Sequence, residues 1–249
     1  WAADAGLRAT ALEAVAAALD ARRSEIIGAC SEETALTPEE LAPEFARMVG
    51  TLRMFAATLR EGSWVRAAVD GALASGAIGP GHDCRSMLVP LDGVVAVFGA
   101  SNFPLAYGVC GGDTASAWAA GCPVVVKEHP AHPKTGRLIA EAARTALASV
   151  GQPPGLLGYV ENTDAKDFGP AQALVMEPRV KAVRFTGSVR GGMALDAAAR
   201  TRPEPIAVFA EMGSVNVVWV SDGASNCRGR EIADTLADSI LARFGQQCT

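Results

Sequence analysis

Between residues 94 and 211, short apolar β-branched runs take turns with alanine-rich amphipathic stretches, and this alternation narrows the choice of fold sharply. Val94 to Phe98 is followed by Pro104 to Ala120, and Pro123 to Lys127 by Pro133 to Val150. Leu156 to Val160 precedes a helical stretch around Asp167 to Leu174, Val180 to Phe185 precedes Ser188 to Arg200, and Ile206 to Ala210 closes the series. Strands that are apolar along their whole length, and separated by helices, are covered on both faces. That is the pattern of a parallel, doubly wound α/β sheet. Such sheets bind ligands beyond the carboxyl ends of their strands. The polar residues at those ends are Asn102, Lys127, Thr186-Gly187-Ser188 and Glu211.

The flanks read differently. Leu12, Val15 and Leu19 share one face of a first helix, and Thr37-Pro38-Glu39-Glu40 forms a capping box with proline at the first helical position. Leu41, Phe45, Met48, Leu52, Phe55 and Leu59 then recur at the spacing of a core-facing stripe. From 72 to 92 the periodicity fades among Gly76, Gly79, Pro80 and Gly81, and Arg85 to Leu91 is expected to be extended, as a connector or protruding arm. After Met212 come an extended run from Asn216 to Val220, a polar loop with Gly223 and Gly229, and a helix from about Glu231 to Phe244. The chain closes on Gly245-Gln246-Gln247-Cys248-Thr249.

Composition excludes several classes. The net charge of -5 is spread without a basic stripe, so no nucleic-acid partner is expected. No run reaches the length of a membrane span. The six cysteines are scattered without a framework spacing, which suits reduced thiols in a cytoplasmic protein. The three histidines, His82, His129 and His132, lack ligand spacing with any cysteine, and no metal site is expected.

Each strand-end residue has two readings. Asn102 can donate its amide to a developing oxyanion, or cap a helix beginning near Pro104. Lys127 can aim its ammonium at ribose or phosphate oxygens, or snorkel from a strand end. Glu211, after an apolar strand, can be a partly desolvated base or an ordinary solvated carboxylate. Gly187-Ser188-Val189-Arg190-Gly191-Gly192 lacks the spacing of GxGxxG and of a P-loop, yet the amides opening the helix near Ser188 favour phosphate. Cys248, in a Gly/Gln loop, can be an exposed nucleophile or a structural thiol. Cys110 and Cys122 read as small core residues.

In this order the motifs resemble those of the aldehyde dehydrogenase superfamily. Ser101-Asn102-Phe103-Pro104, Val124-Val125-Val126-Lys127, Phe185-Thr186-Gly187-Ser188, Glu211-Met212-Gly213 and Gly245-Gln246-Gln247-Cys248 are similar to its signatures, across essentially the whole chain. Phe98 to Ala106, Gly111-Gly112-Asp113-Thr114-Ala115-Ser116, Pro203-Glu204-Pro205-Ile206 and Ala210 to Ser214 resemble a narrower branch. It contains 2,5-dioxovalerate (α-ketoglutaric semialdehyde) dehydrogenases and an NADP-dependent fatty aldehyde dehydrogenase.

The resemblance implies a Rossmann-like parallel sheet with helices on both faces and NAD(P)-dependent oxidation of an aldehyde to a carboxylic acid. The substrate it favours is 2,5-dioxovalerate, with a fatty or other aldehyde as the alternative. It implies catalytic roles for Cys248 as nucleophile, Asn102 as oxyanion donor and Glu211 as the base that activates water. Lys127, Ser101, Pro130, Gly187, Ser188 and Glu211 fall on the cofactor side. Many NAD-preferring members carry a glutamate three residues after the strand lysine; Pro130 stands there, so NADP is expected over NAD, with Glu128 beside the lysine as the opposing feature. The implied layout is N-terminal helices of the cofactor-binding domain at 1–71, an oligomerisation arm at 72–92, the NAD(P)-binding domain at 93–211 and the start of a catalytic domain at 212–249. The C-terminal part of that domain is expected after Thr249, in a longer enzyme that forms a homodimer or homotetramer. Two other readings stand beside this one: a cysteine hydrolase, which needs a histidine partner for Cys248, and a non-catalytic truncated relative.

Overall fold

A computed structural model describes residues 4–71, 81, 83–161, 164 and 166–248. Most of the glycine-rich connector, His82 and Thr249 lie outside the described residues. In chain order the elements are α1 (Ala5–Ala21), α2 (Arg23–Thr34), α3 (Pro38–Glu61), β1 (Ala68–Asp70), β2 (Cys84–Ser86), β3 (Val94–Phe98), α4 (Gly112–Ala119), β4 (Val124–Lys127) and α5 (Pro133–Ser149). They continue with β5 (Leu157–Val160), α6 (Gly169–Met176), β6 (Val180–Gly187), α7 (Val189–Arg200), β7 (Ala207–Met212) and α8 (Asp222–Leu241).

Five strands form one parallel sheet in the order β5-β4-β3-β6-β7. The chain moves outward from β3 through β4 to β5, then returns to the other side of β3 with β6 and β7, so the order reverses between β3 and β6. Helices cover both faces. Val95, Val97, Val124 and Val126 pack with Trp118, Ile139 and the apolar stripes of α1 and α3, while Ala96, Phe98 and Val183 pack with Val175, Leu195 and Ala199. The expected capping box at Thr37 and Glu40 is formed, and Leu41, Phe45, Met48, Leu52 and Leu59 are buried as their spacing predicts. Cys110 and Cys122 are buried, and none of the six cysteines is in a disulfide. No helix among the described residues is long and apolar enough to cross a membrane.

Five expectations need correction. The helix expected from Pro104 begins only at Gly112: residues 104–111 form tight turns instead, with the Tyr107 amide donating to the Phe103 carbonyl and the Gly112 amide to the Ala106 carbonyl, while the Glu44 side chain accepts the amides of Leu105 and Ala106. A Cβ on Gly111 would lie 2.3 Å from the Ala106 carbonyl oxygen, which explains the glycine there. Among the described residues of the expected arm, only Cys84–Ser86 is a strand, antiparallel to Ala68–Asp70 and exposed along its length. Residues 216–220 are not a strand: β7 is the sheet edge, and Val217 and Trp219 are exposed with no strand beside them among the described residues. Gly223 and Gly229 fall within α8, which starts at Asp222 on a Ser221 cap and kinks at Arg228 rather than beginning at Glu231. Nor is β7 buried on both faces as expected, since Ala207, Phe209 and Glu211 alternate outward on a side that no described element covers.

Two neighbouring glutamates on α2 meet the start of α5 in different ways. Glu33 accepts the amides of Lys134 and Thr135 and the Thr135 hydroxyl, at 2.7, 2.8 and 2.7 Å. Glu32 meets only the Lys134 ammonium, on the surface. Glu33→Ala strands the buried Thr135 and is expected to lower stability by about 1–3 kcal/mol, whereas Glu32→Ala changes it by less than about 0.5 kcal/mol. Urea unfolding midpoints of the two variants will check the contrast.

Candidate active site

A cleft of about 1040 Å³ opens where the strand order reverses, and it is bounded by the loops that leave β3, β4, β6 and β7. Ser101, Asn102, Lys127, Pro130, Gly187, Ser188, Glu211 and Cys248 all line it. The topology brings these residues together although they are spread over nearly 150 positions of the sequence. Among the described residues no group of three histidines, cysteines or acids is placed to hold a metal ion.

Lys127 ends β4 with its side chain half-buried, opposite in strand alternation to Val126 and Glu128. Burial holds its ammonium below the usual lysine range, and the charges of Glu128 and Asp167 pull the other way. Glu128 turns toward α5. It is buried, its carboxylate accepts the Tyr159 hydroxyl, and its second oxygen has no hydrogen-bond partner. Burial raises its carboxyl above the usual range even though the tyrosine bond works against the shift. A Cβ on Gly136 would sit 2.7 Å from that hydroxyl, so the glycine makes room for the pair. His129 and His132 stack at 5.4 Å, and the His132 Nε2 lies 3.1 Å from the Ala100 carbonyl. Burial, then the neighbouring His132 and Lys127, push His129 down to about 4, which leaves its ring neutral near pH 7.

On the other side of the reversal Ser188 caps α7 by accepting the Gly191 amide at 3.1 Å. Phe185 lies close under this turn: a Cβ on Gly187 would meet its ring at 2.8 Å. The amides of Val189 and Arg190 belong to the first turn of α7, where a helix leaves its N–H groups without intrahelical partners. Arg190, passed over in the sequence, lines the cleft beside them.

Asn102 and Cys248 meet across the cleft. The Asn102 Nδ2 donates to the Gln246 carbonyl at 3.3 Å and lies 4.0 Å from the Cys248 sulfur. Asn102 therefore does not cap a helix. Gly213, at φ +70, turns the chain out of β7 so that Ser214 and Asn216 reach the Cys248 carbonyl, with the Asn216 Nδ2 at 3.4 Å. Glu211 pairs with Thr186 in register, at the level where β6 and β7 outrun β3. It is exposed, the second of its two sequence readings, because it lies on the uncovered side of the edge strand.

Arg243 and Glu44 carry no motif, and the sequence reading missed both. The Arg243 Nη2 donates to the Glu44 carboxylate at 2.7 Å and to the Asn102 carbonyl at 2.9 Å, with its guanidinium over the Phe103 ring. Glu44 left one sign in the sequence, an acid three residues after Leu41 on the apolar stripe of α3. Arg243, Ser214 and Asn216 left none, since they act through loops whose course depends on the fold.

The profile of the aldehyde dehydrogenase family matches residues 1–249. The chain is 45% identical over 246 residues to alpha-ketoglutaric semialdehyde dehydrogenase 2 of Azospirillum brasilense, covering 97% of this chain and 45% of that protein. It is 41% identical over 244 residues to the alpha-ketoglutaric semialdehyde dehydrogenase of Acinetobacter baylyi, with the same coverage of each. The chain thus spans just under half the length of these curated relatives. Its fold superimposes on succinic semialdehyde dehydrogenase from Streptococcus pyogenes, solved with NADP+, with a TM-score of 0.76 at 19% identity over 98% of this chain and 48% of that one. With the strand order, the cleft and the family profile in agreement, the chain belongs to the aldehyde dehydrogenase family.

Proposed function

We propose that the polypeptide carrying this chain oxidises an aldehyde to a carboxylic acid, with NADP as cofactor and 2,5-dioxovalerate as substrate. The observation that carries this reading is the Asn102 amide 4.0 Å from the Cys248 sulfur, in the same cleft as Lys127 and the start of α7. The 45% identity to a protein named for alpha-ketoglutaric semialdehyde supports the substrate.

The cleft suits a dinucleotide. It lies at the reversal of strand order, with a half-buried lysine on one side and the first turn of a helix on the other. Lys127 would hold the adenosine end, Pro130 and Ser101 would line it, and Gly187 and Ser188 would approach the phosphates. When bound, the nicotinamide supplies a two-electron acceptor. The Cys248 thiolate attacks the aldehyde carbon, forming a C–S bond and placing negative charge on the carbonyl oxygen. The Asn102 amide and the Cys248 backbone N–H stabilise that charge. Once the carbon has lost its hydrogen with the bonding electron pair, Cys248 carries a thioester. Glu211 takes a proton from water, the resulting hydroxide adds to the thioester, and the thiolate leaves as the acid forms.

NADP is favoured because Pro130 offers no carboxylate and the Glu128 carboxylate, although Glu128 also lines the cleft, is engaged by the Tyr159 hydroxyl. Asp167 is the opposing charge, and its side chain accepts the Gly169 amide at 2.9 Å. Residues 1–71 and 93–211 are read as one cofactor-binding unit, 72–92 as the arm of a homodimer or homotetramer, and 212–249 as the start of the catalytic domain. Exposed Val69, Met87 and Val89 on and beside the β1–β2 ladder support the arm. A hydrolase reading loses ground, since among the described residues no histidine hydrogen-bonds Cys248 and His132 is directed at Ala100.

Two experiments on the natural full-length polypeptide test these assignments. Cys248→Ala is expected to lower aldehyde-dependent NADPH formation by at least about a thousandfold, and Glu211→Gln to give a burst of NADPH followed by slow turnover; undiminished steady-state rates in either variant refute the role assigned. For the cofactor, kcat/KM is expected to be higher with NADP than with NAD. NADP affinity should hold constant at lower pH and then decline as pH rises through a range below that of an ordinary lysine, because only the protonated Lys127 attracts the phosphate. Lys127→Gln should weaken NADP by about tenfold and flatten that profile. Fluorescence titration across pH will read both.

A further inference from the structure

The side chains that bring Asn102 to Cys248 have no part in the chemistry above. Glu44, on α3, uses one oxygen to accept the amides of Leu105 and Ala106, at 2.8 and 3.0 Å. Its other oxygen accepts Arg243, which also holds the Asn102 carbonyl at 2.9 Å. The guanidinium centre lies 4.3 Å from the centroid of the Phe103 ring. Side-chain exposure is 2% for Glu44 and 11% for Arg243, so this is a buried ion pair. Relative to apolar residues of the same shape, such a pair adds little net stability, although removing one partner strands the other charge.

The backbone around Arg243 is unusual too. Arg243 and Phe244 both adopt left-handed conformations, at φ 51 and 59, which side-chain-bearing residues seldom hold unless their surroundings enforce it. This turn carries the chain from the end of α8 back over the Asn102 loop, where the Gln246 carbonyl receives the Asn102 amide. His132 pins the same loop two residues upstream, at Ala100. The loop is thus anchored before, at and after Asn102, and the charged anchor belongs to the segment that carries the nucleophile.

We propose that Glu44 and Arg243 are a positioning pair for the oxyanion site. Through the Asn102 backbone and the left-handed turn, they set the separation between the Asn102 amide and the Cys248 sulfur, and so control the attack step without touching substrate or cofactor. The proposal rests on Cys248 as nucleophile. A displacement of about 1 Å in such a site can lower the rate about a hundredfold. The competing account is that the pair merely neutralises itself in the interior.

The two accounts diverge in the natural full-length enzyme. Arg243→Met retains packing over Phe103 but removes both donated bonds; it should lower kcat by about a hundredfold with KM for NADP little changed. Combining it with Glu44→Gln, which still offers an acceptor to Leu105 and Ala106, removes the stranded charge. The double variant should regain melting temperature while kcat stays low, and recovery of kcat together with melting temperature overturns the proposal. Arg243→Lys keeps a cation against Glu44 and provides a second route if the double variant does not fold. Its loss of kcat should vanish in an Asn102→Ala background, because it acts through Asn102; losses that simply multiply overturn the proposal. Dehydrogenase activity persisting in Cys248→Ala would instead refute the nucleophile, and so separates failure of that reading from failure of this one.

Discussion

Strand pairing at β3 governs where the strand-end groups of the cleft stand. Phe98, the last residue of β3, is in register with Lys127 on one side and Phe185 on the other. The three strands therefore reach the crevice at one level, and the chain leaves β3 and β6 toward opposite faces. β6 and β7 run further, so Thr186 and Glu211 stand one residue, or about 3.3 Å, beyond that level. The lysine proposed for the adenosine end sits at the base of the cleft, and the carboxylate proposed for water activation sits nearer its rim. A one-residue slip in any of these pairings would turn Lys127 or Glu211 to the other face. The apolar residues between them, Val95 to Val97 and Val124 to Val126, are what prevent it.

The cysteine proposed as nucleophile is held by a second, polar system. Cys248 lies on no strand, and the segment from Gly213 onward is largely exposed. Its position depends on polar ties to the sheet: Ser214 and Asn216 on its carbonyl, Asn102 on the Gln246 carbonyl, and Arg243 on Glu44. Hydrogen bonds are directional where apolar packing is not. They can fix a sulfur relative to an amide without a core beneath it. The buried end of this system is the Glu44 carboxylate, which joins α3, the Asn102 loop and the cysteine segment.

The parallel sheet was legible because burial on both faces writes itself as uninterrupted apolar runs, and α3 was legible because its stripe and capping box are local. What failed in the sequence were the segments whose conformation is set at a distance. Pro104 to Gly111 was grouped with the alanine-rich helix, but its backbone closes in turns that a carboxylate some sixty residues upstream ties down through Leu105 and Ala106. The β-branched run at 215–220 looked like a strand, although β-propensity reflects fit to a sheet neighbour and none stands beside it. The strand-end residues of the site could be found because topology, read from the alternation, says where ligands bind. Glu44 and Arg243 could not, since a positioning side chain is recognisable only from the backbone it touches.

Electrostatics on the cofactor side depend on burial. Glu128 follows Lys127 just past the end of β4, and both line the cleft. Lys127 is half-buried there, while the Glu128 carboxylate accepts the Tyr159 hydroxyl; burial pushes both Glu128 and Tyr159 above their usual ranges. The neighbouring His129 is neutral near pH 7, its charged form disfavoured by burial and by Lys127 itself. The balance at the adenosine end then lies between Lys127 and Asp167, with Arg190 across the cleft on the first turn of α7. Asp167 is exposed and so acts through water, where its effect on a phosphate is screened. Lys127 is half-buried, and a charge less exposed to solvent attracts an anion more strongly at the same distance. It is this difference in burial, more than the count of charges, that supports the proposed preference for the phosphorylated cofactor.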